Sequence, residues 1–260
     1  INEPLTGRKR EYHLFPFSFR EMTASTSLLE ETRLLHQRMI FGYYPEVVVN
    51  PAKAQIELIE VSNDYLYKDV LSLQDIRKPA LLEKLLLALA LQIGSEVSYY
   101  ELAQTVGTDN KTAERYIDLL EKCFVVFQLR AFSRNIRNEI KKGKKIYFYD
   151  NGIRNAIVNN FSPLETRQDT GALWENFLVS ERKKVLAYGE RYVKSYFWRT
   201  IDQQEIDLIE DAGGQLNVFE FKWNEKAKAK IPAIFVENYQ NVHQHIIHNQ
   251  NFTDFLLPGK

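Results

Sequence analysis

A glycine pair, Gly213-Gly214, separates two runs of β-forming residues at 205–210 and 216–223. Two such runs around a diglycine dictate an antiparallel hairpin. Side chains alternate along a strand, so Glu205, Asp207 and Ile209 are expected on one face of the first run. Val218, Glu220 and Lys222 are expected on one face of the second, with Phe219 and Phe221 opposite. Closing the hairpin brings Asp207 beside Glu220 and Lys222. A further β run at 192–198 and a helix at 173–187 precede it; a helix at 232–238 and a strand at 245–248 follow. The order implies an α/β layer.

One Asp and one Glu offer hard oxygen ligands that suit Mg²⁺, which binds through one or two carboxylates and keeps several waters. Such an ion generates hydroxide from bound water and stabilises charge developing on a phosphodiester. On this reading Asp207 and Glu220 are the metal ligands, and Lys222 orients the attacking water. Glu175, directly after Trp174 on the preceding helix, completes the metal shell or holds a ligand water. Each of the four is ordinary alone, since a Glu-x-Lys in a strand is most often a solvated, salt-bridging face.

Upstream, the pattern is three helices followed by two β runs. The helices are expected at 81–94, at 99–106 with Ser98 as N-cap, and at 110–123 with Thr108 or Asp109 as cap. The short glycine-containing turn 107–110 between the last two is a helix-turn-helix arrangement. The β runs 124–132 and 144–149 flank a loop in which seven basic residues between 130 and 145 face one acid, Glu139. This describes a winged helix. Its third helix would turn Lys111 and Arg115 outward, with Glu114, while Ala113, Tyr116, Ile117 and Leu120 face the core. Lys111 and Arg115, together with Arg134, Arg137, Lys141, Lys142 and Lys144 of the basic loop, are the expected phosphate contacts; such contacts position a nucleic acid without reading it. Asp109 and Glu114 dilute that positive face, and winged helices also serve as protein-binding modules. Before this, residues 1–75 read as helices at 28–39 and 52–72 with no sheet of their own, so they are expected to dock on another part of the chain.

At 260 residues the chain lies where one hydrophobic core usually stops growing, and three units are expected: 1–75, 76–150 and 151–260. Its 45% hydrophobic content supplies real cores. The single cysteine, Cys123, excludes an internal disulfide and fits a buried thiol in a reducing cytoplasm. No run approaches the roughly 18 apolar residues that read as a membrane span. Zero net charge gives no global pull toward nucleic acid, so local patches must supply it. The opening residues, Ile1-Asn2-Glu3-Pro4, suggest a fragment. His243, His245 and His248 are closely spaced, but a strand puts His248 opposite the other two and nothing nearby supplies a fourth ligand, which argues against zinc.

The segments Gly171-Ala172-Leu173-Trp174-Glu175-Asn176-Phe177, Glu205-Ile206-Asp207 and Glu220-Phe221-Lys222, preceded by Lys145-Ile146-Tyr147-Phe148-Tyr149-Asp150-Asn151-Gly152, resemble the C-terminal domain of unknown function of a family of prokaryotic AAA+ superfamily ATPases. Leu5-Thr6-Gly7-Arg8, Phe15-Pro16-Phe17-Ser18-Phe19 and Gly42-Tyr43-Tyr44-Pro45-Glu46 resemble the stretch just after that family's nucleotide-binding core. The resemblance implies an α/β multi-domain chain: a helical ATPase-lid remnant, a winged helix-turn-helix, and a PD-(D/E)XK, restriction-endonuclease-like domain. With the carboxylate–lysine set and the basic patches, the expectation is a nucleic-acid partner, DNA before RNA, with Mg²⁺-dependent phosphodiester hydrolysis as the candidate chemistry; the resemblance adds the ATPase core of the full-length parent as a further partner. ATP belongs to that core. No G-x-x-x-x-G-K-[ST] loop occurs in these residues, so they are not expected to hydrolyse ATP, and Arg8 reads as a surface arginine rather than a phosphate sensor. The rival expectations are a non-catalytic protein- or DNA-interaction module of the ATPase and a winged-helix DNA-binding regulator.

Overall fold

The computed structural model describes residues 12–64, 78–133 and 143–259. Near its start, the Ser18 hydroxyl accepts from Glu21 N while the Glu21 carboxylate accepts from Ser18 N, a reciprocal box that launches α1 (Phe19–Ser25). The helix expected over 28–39 is two short ones, α2 (Leu28–Arg33) and α3 (Leu35–Phe41). Leu34, near ψ 0, leaves helical geometry between them, and Gly42 at φ 69 ends the second. Pro45 at the first turn opens α4 (Pro45–Val49), and α5 (Ala54–Asp64) follows. The rest of the helix expected to reach residue 72 lies outside the described residues.

Pro79 stands in the first turn of α6 (Pro79–Leu91), whose Leu81, Leu82, Leu85, Leu86 and Leu89 are buried at helical spacing. A two-residue strand β1 (Glu96–Val97) leads to α7 (Tyr99–Val106), capped by Ser98 and stopped by left-handed Gly107. Asp109 caps α8 (Asn110–Lys122) by accepting from Thr112 N at 3.0 Å. Next come β2 (Val126–Ala131) and β3 (Lys144–Phe148). Asp150-Asn151-Gly152, a turn by sequence, instead starts α9 (Asn151–Ile157), because the Asp150 carboxylate accepts from the Gly152 and Ile153 amides. The chain then runs through α10 (Thr170–Tyr188), β4 (Lys194–Arg199), β5 (Glu205–Ala212), β6 (Gln215–Phe221), α11 (Ala233–Asn238), β7 (Val242–Ile247) and α12 (Phe252–Leu256).

The fold is mixed α/β, with twelve α-helices among the described residues around one seven-stranded mixed sheet of order β1-β3-β2-β4-β5-β6-β7. Two parallel joins interrupt the antiparallel pairing. β2 meets β4 through Arg130↔Tyr196 and Ala131↔Phe197, and β6 meets β7 from Leu216↔Val242 to Phe221↔Ile247. The sheet therefore runs through residue 150, the boundary expected between the second and third units. Helix α10 is buried almost all round because it lies between the sheet and the first segment: Trp174, Leu173 and Leu178 join Phe127, Tyr147, Phe197, Leu208 and Phe219 in one core with Phe19, Met39 and Tyr43. The first segment docks there, and Glu181 Oε2 accepts from Phe19 N at 2.6 Å. On the other face, α6 to α8 cover Val126, Ile146 and Phe148, while Phe235 of α11 covers Ile206, Ile209 and Val218.

Candidate functional site

The hairpin turns at Gly213 and Gly214, both at positive φ, and pairs Leu208 with Phe219 and Ile209 with Val218. Continuing that register sets Asp207 opposite Glu220. On its other side β5 slips against β4 between Tyr196↔Ile209 and Trp198↔Ile206, so one extra residue bulges out of β5. This lets Ile206 and Ile209, three apart, enter the same core cluster, which strict alternation forbids. Glu205, Asp207 and Ile209 consequently do not form the single face expected from period 2. A bulge of this kind re-aims a side chain and ends local pairing: the Asp207 carboxylate turns inward and accepts the Phe221 amide at 2.7 Å.

At this end of the sheet the side chains converge. Lys222 Nζ donates to Glu220 Oε1 at 2.6 Å. Lys145, on β3 and 1% exposed, donates to Glu175 Oε1 at 2.8 Å and pairs with Glu205. Tyr147 OH donates to the same Glu175 oxygen at 2.6 Å. An ammonium and a phenol thus share one oxygen of Glu175, the residue expected from sequence to complete the metal shell or hold a ligand water. Arg199, on the rim, lies 3.9 Å from both Glu205 and Glu96. Glu220 Oε2 is buried without a hydrogen-bond partner, as is Trp174 Nε1 beside Glu175. A cleft of about 510 Å³ opens over Glu205 and Glu220, with Lys230 and Gln204 on its walls.

The charges do not balance. Four carboxylates, Glu175, Glu205, Asp207 and Glu220, face two ammonium groups, Lys145 and Lys222, while Arg199 is shared with Glu96. Burial, then the charges of Glu175 and Glu220, push the Asp207 carboxyl well above its ordinary range; Lys145 and the Phe221 amide pull the other way without prevailing. Burial also raises Glu220, against its hydrogen bond to Lys222. Burial works against both ammonium groups, yet the surrounding carboxylates outweigh it and raise Lys145 and Lys222. The cluster therefore holds protons or attracts a cation. Among the described residues no three His, Cys, Asp or Glu side chains are arranged to hold a metal. Asp207 with Glu220 nevertheless fits an ion that takes two carboxylates and completes its shell with water, and the unpartnered Glu220 Oε2 is a donor in place.

Lys145 and Tyr147 are the functional candidates that the sequence reading missed. Lys145 closes the basic run 130–145, but a lysine opening the otherwise apolar run 145–149 signals a buried, paired ammonium. Among the expected nucleic-acid contacts, Lys111 and Arg115 are exposed on α8, where Glu114 and Asp118 are exposed beside them. Lys144 is half-buried and engaged: its ammonium donates to Tyr99 OH at 3.0 Å and lies 4.6 Å from the ring centre. Arg134, Arg137, Lys141 and Lys142 lie outside the described residues. His243 and His245 face Gln215 and Asn217 of β6. No described helix is long and apolar enough to cross a membrane.

A family model described as Domain of unknown function (DUF8612) matches residues 32–164, just over half of the chain, and one described as Domain of unknown function (DUF4143) matches residues 170–256. An uncharacterized protein of Mycobacterium tuberculosis is 32% identical over 131 residues, which are 50% of this chain and 29% of that protein. An uncharacterized protein of Haemophilus influenzae is 26% identical over 165 residues, 59% of this chain and 41% of that protein. The chain thus spans less than half the length of these relatives. No solved structure matches.

Proposed function

From the premise that the chain belongs to the DUF8612 family and carries a DUF4143 region after it, we propose that it is the C-terminal region of a prokaryotic AAA+ superfamily ATPase that binds nucleic acid and hydrolyses phosphodiesters with Mg²⁺. DUF4143 is a domain found in C-terminal regions associated with AAA ATPases. The element order supports the two finer assignments. Helix α10, three antiparallel strands β4 to β6, helix α11 and a strand parallel to β6 is the order of a PD-(D/E)XK core. Helix α6, strand β1, helices α7 and α8, and the pair β2–β3 with β1 added to β3 is the order of a winged helix.

The observation that carries the proposal is buried Asp207 beside half-buried Glu220, whose Oε2 has no hydrogen-bond partner among the described residues, with an excess of negative charge over Lys145 and Lys222. A divalent ion held by Asp207 and Glu220 would supply Lewis acidity and an acidic bound water. The chain's own groups do the rest. Lys222, half-exposed beside Glu220, positions the attacking water and shares the charge developing on the phosphate. Lys145 and Tyr147 fix Glu175, and Lys230 at the cleft wall draws the phosphate backbone toward Glu220. Exposed Lys111 and Arg115 contribute phosphate contacts from α8. Replacing Asp207 by Ala is expected to abolish Mn²⁺- or Mg²⁺-dependent cleavage of a DNA and RNA panel, with secondary structure retained by circular dichroism. Cleavage by the variant at the original rate would sink the assignment.

A second reading, a non-catalytic interaction module, is favoured by Lys145, whose ammonium already bridges Glu175 and Glu205. It predicts no Mg²⁺ binding by calorimetry and nucleic-acid or partner binding that is indifferent to Asp207→Ala.

A further inference from the structure

At the opposite end of α10 from this site, β2 meets β4 only through its last two residues, Arg130 and Ala131, against Tyr196 and Phe197 in the middle of β4. A cavity of about 480 Å³ opens there between the sheet and the C-terminal half of α10, within the size range of small-molecule sites. Four rings wall it. Phe15 stacks on Tyr149 with centroids 5.3 Å apart, and Phe124 and Phe127 lie 5.8 and 4.9 Å from Tyr149.

Phe124 holds its place at a cost. It follows α8 at φ 57, closing the helix through Val125 N to Leu120 O, where a glycine would sit without strain.

Among the described residues the polar lining groups are all cationic or neutral, with no Asp or Glu. Lys183 is half-buried with its ammonium 4.8 Å from the Phe127 ring centre and 5.8 Å from that of Tyr149, and it makes no ion pair or hydrogen bond among the described residues. The acid whose charge reaches it, Glu121, is engaged by the Gln128 amides at 3.1 and 2.8 Å. Arg191, exposed at the mouth, has no described ion pair either. Arg182 differs: it is committed to Glu210 through two hydrogen bonds. A half-buried ammonium and a guanidinium, neither in an ion pair among the described residues, against aromatic walls make a site for a ligand that supplies both a ring and a negative charge.

We propose that this cavity binds a small organic anion that joins a planar ring to a phosphate, the chemistry of a nucleoside monophosphate. The ring lies among Phe15, Phe124 and Tyr149, and the phosphate reaches Lys183 and Arg191. The test is calorimetric titration of the protein with the four nucleoside monophosphates, with adenosine, and with inorganic phosphate. At least one monophosphate is expected to bind more tightly than adenosine or phosphate alone. Lys183→Met is expected to weaken it about tenfold, the loss of one charge-assisted hydrogen bond, and Arg191→Gln, at an exposed position that leaves folding intact, to weaken it in the same direction. No binding at millimolar concentration, or binding undiminished in Arg191→Gln and in a folded Lys183→Met, overturns the proposal.

Discussion

Replacing Lys145 by Met removes the one ammonium that touches both Glu175 and Glu205 while keeping an unbranched side chain of similar length against Phe197. With 1% of its side chain exposed, Lys145 cannot be replaced by water, and the loss strands two half-buried carboxylates. Breaking a buried pair on one side costs about 3–5 kcal/mol. The sign of the pH dependence follows from Asp207 and Glu220, whose carboxyls are raised in the folded chain. The stability they lend is fully present below their ordinary values and is lost as pH rises through the folded ones. Without Lys145 the repulsion among the carboxylates grows, so the deficit is expected to be largest near pH 8 and to shrink toward pH 5 as the cluster takes up protons. Urea unfolding at the two pH values measures it, read as midpoint times slope. Adding Glu175→Gln to Lys145→Met removes one stranded charge and is expected to recover part of the loss. A deficit below about 1 kcal/mol, against the 3–5 of a buried pair, or one equal at both pH values, would refute the reasoning.

Asp169 gives the opposite pH signature. Its hydrogen bond to Arg167 first, then Arg154, holds its carboxyl at about 2 against an ordinary 3.8. Its contribution is present above the ordinary value and lost as pH falls through the folded one, so Asp169→Asn is expected to flatten the acid limb of a thermal-stability profile between those two values. Gly42→Ala is expected to be costly: φ is +69, and the new Cβ would lie 2.0 Å from an oxygen of Asp150, whose buried carboxylate accepts the Tyr43, Gly152 and Ile153 amides. Positive φ and a displaced buried acceptor together amount to about 2–4 kcal/mol in urea unfolding. Gly171→Ala, early in α10 with nothing within 4 Å of the added carbon, is the control and is expected to be neutral or stabilising.

Local signals carried much of the secondary structure because the physics behind them is local. Ser98 and Asp109 as caps, left-handed Gly107, and the alternating buried stripe of α8 each act within one or two turns of chain, and so were legible. The sequence also brought Asp207 to Glu220, since a diglycine hairpin fixes register. It could not reveal the bulge in β5, which depends on how Tyr196 and Trp198 of β4 meet β5, nor the break at Leu34. Asp150 looked like a turn residue because Asp before Asn-Gly favours turns; its role as the cap of α9 is fixed by contacts with Gly42 and Tyr43, more than a hundred positions away.

The same distinction explains why Lys145 and Lys144, adjacent in a run that reads as uniformly basic, have different fates. Side chains alternate across β3, so Lys144 falls toward the helices α6 to α8 and meets Tyr99, whereas Lys145 falls toward α10 and meets Glu175. That second contact joins residues from both sides of position 150, and it exists because β2 extends the sheet onto β4. The carboxylate cluster is therefore not a property of the last hundred residues alone. Its charge balance is set by β3, which holds Lys145 and Tyr147 against Glu175. A chain cut at residue 150 would lose the ammonium that holds the cluster together.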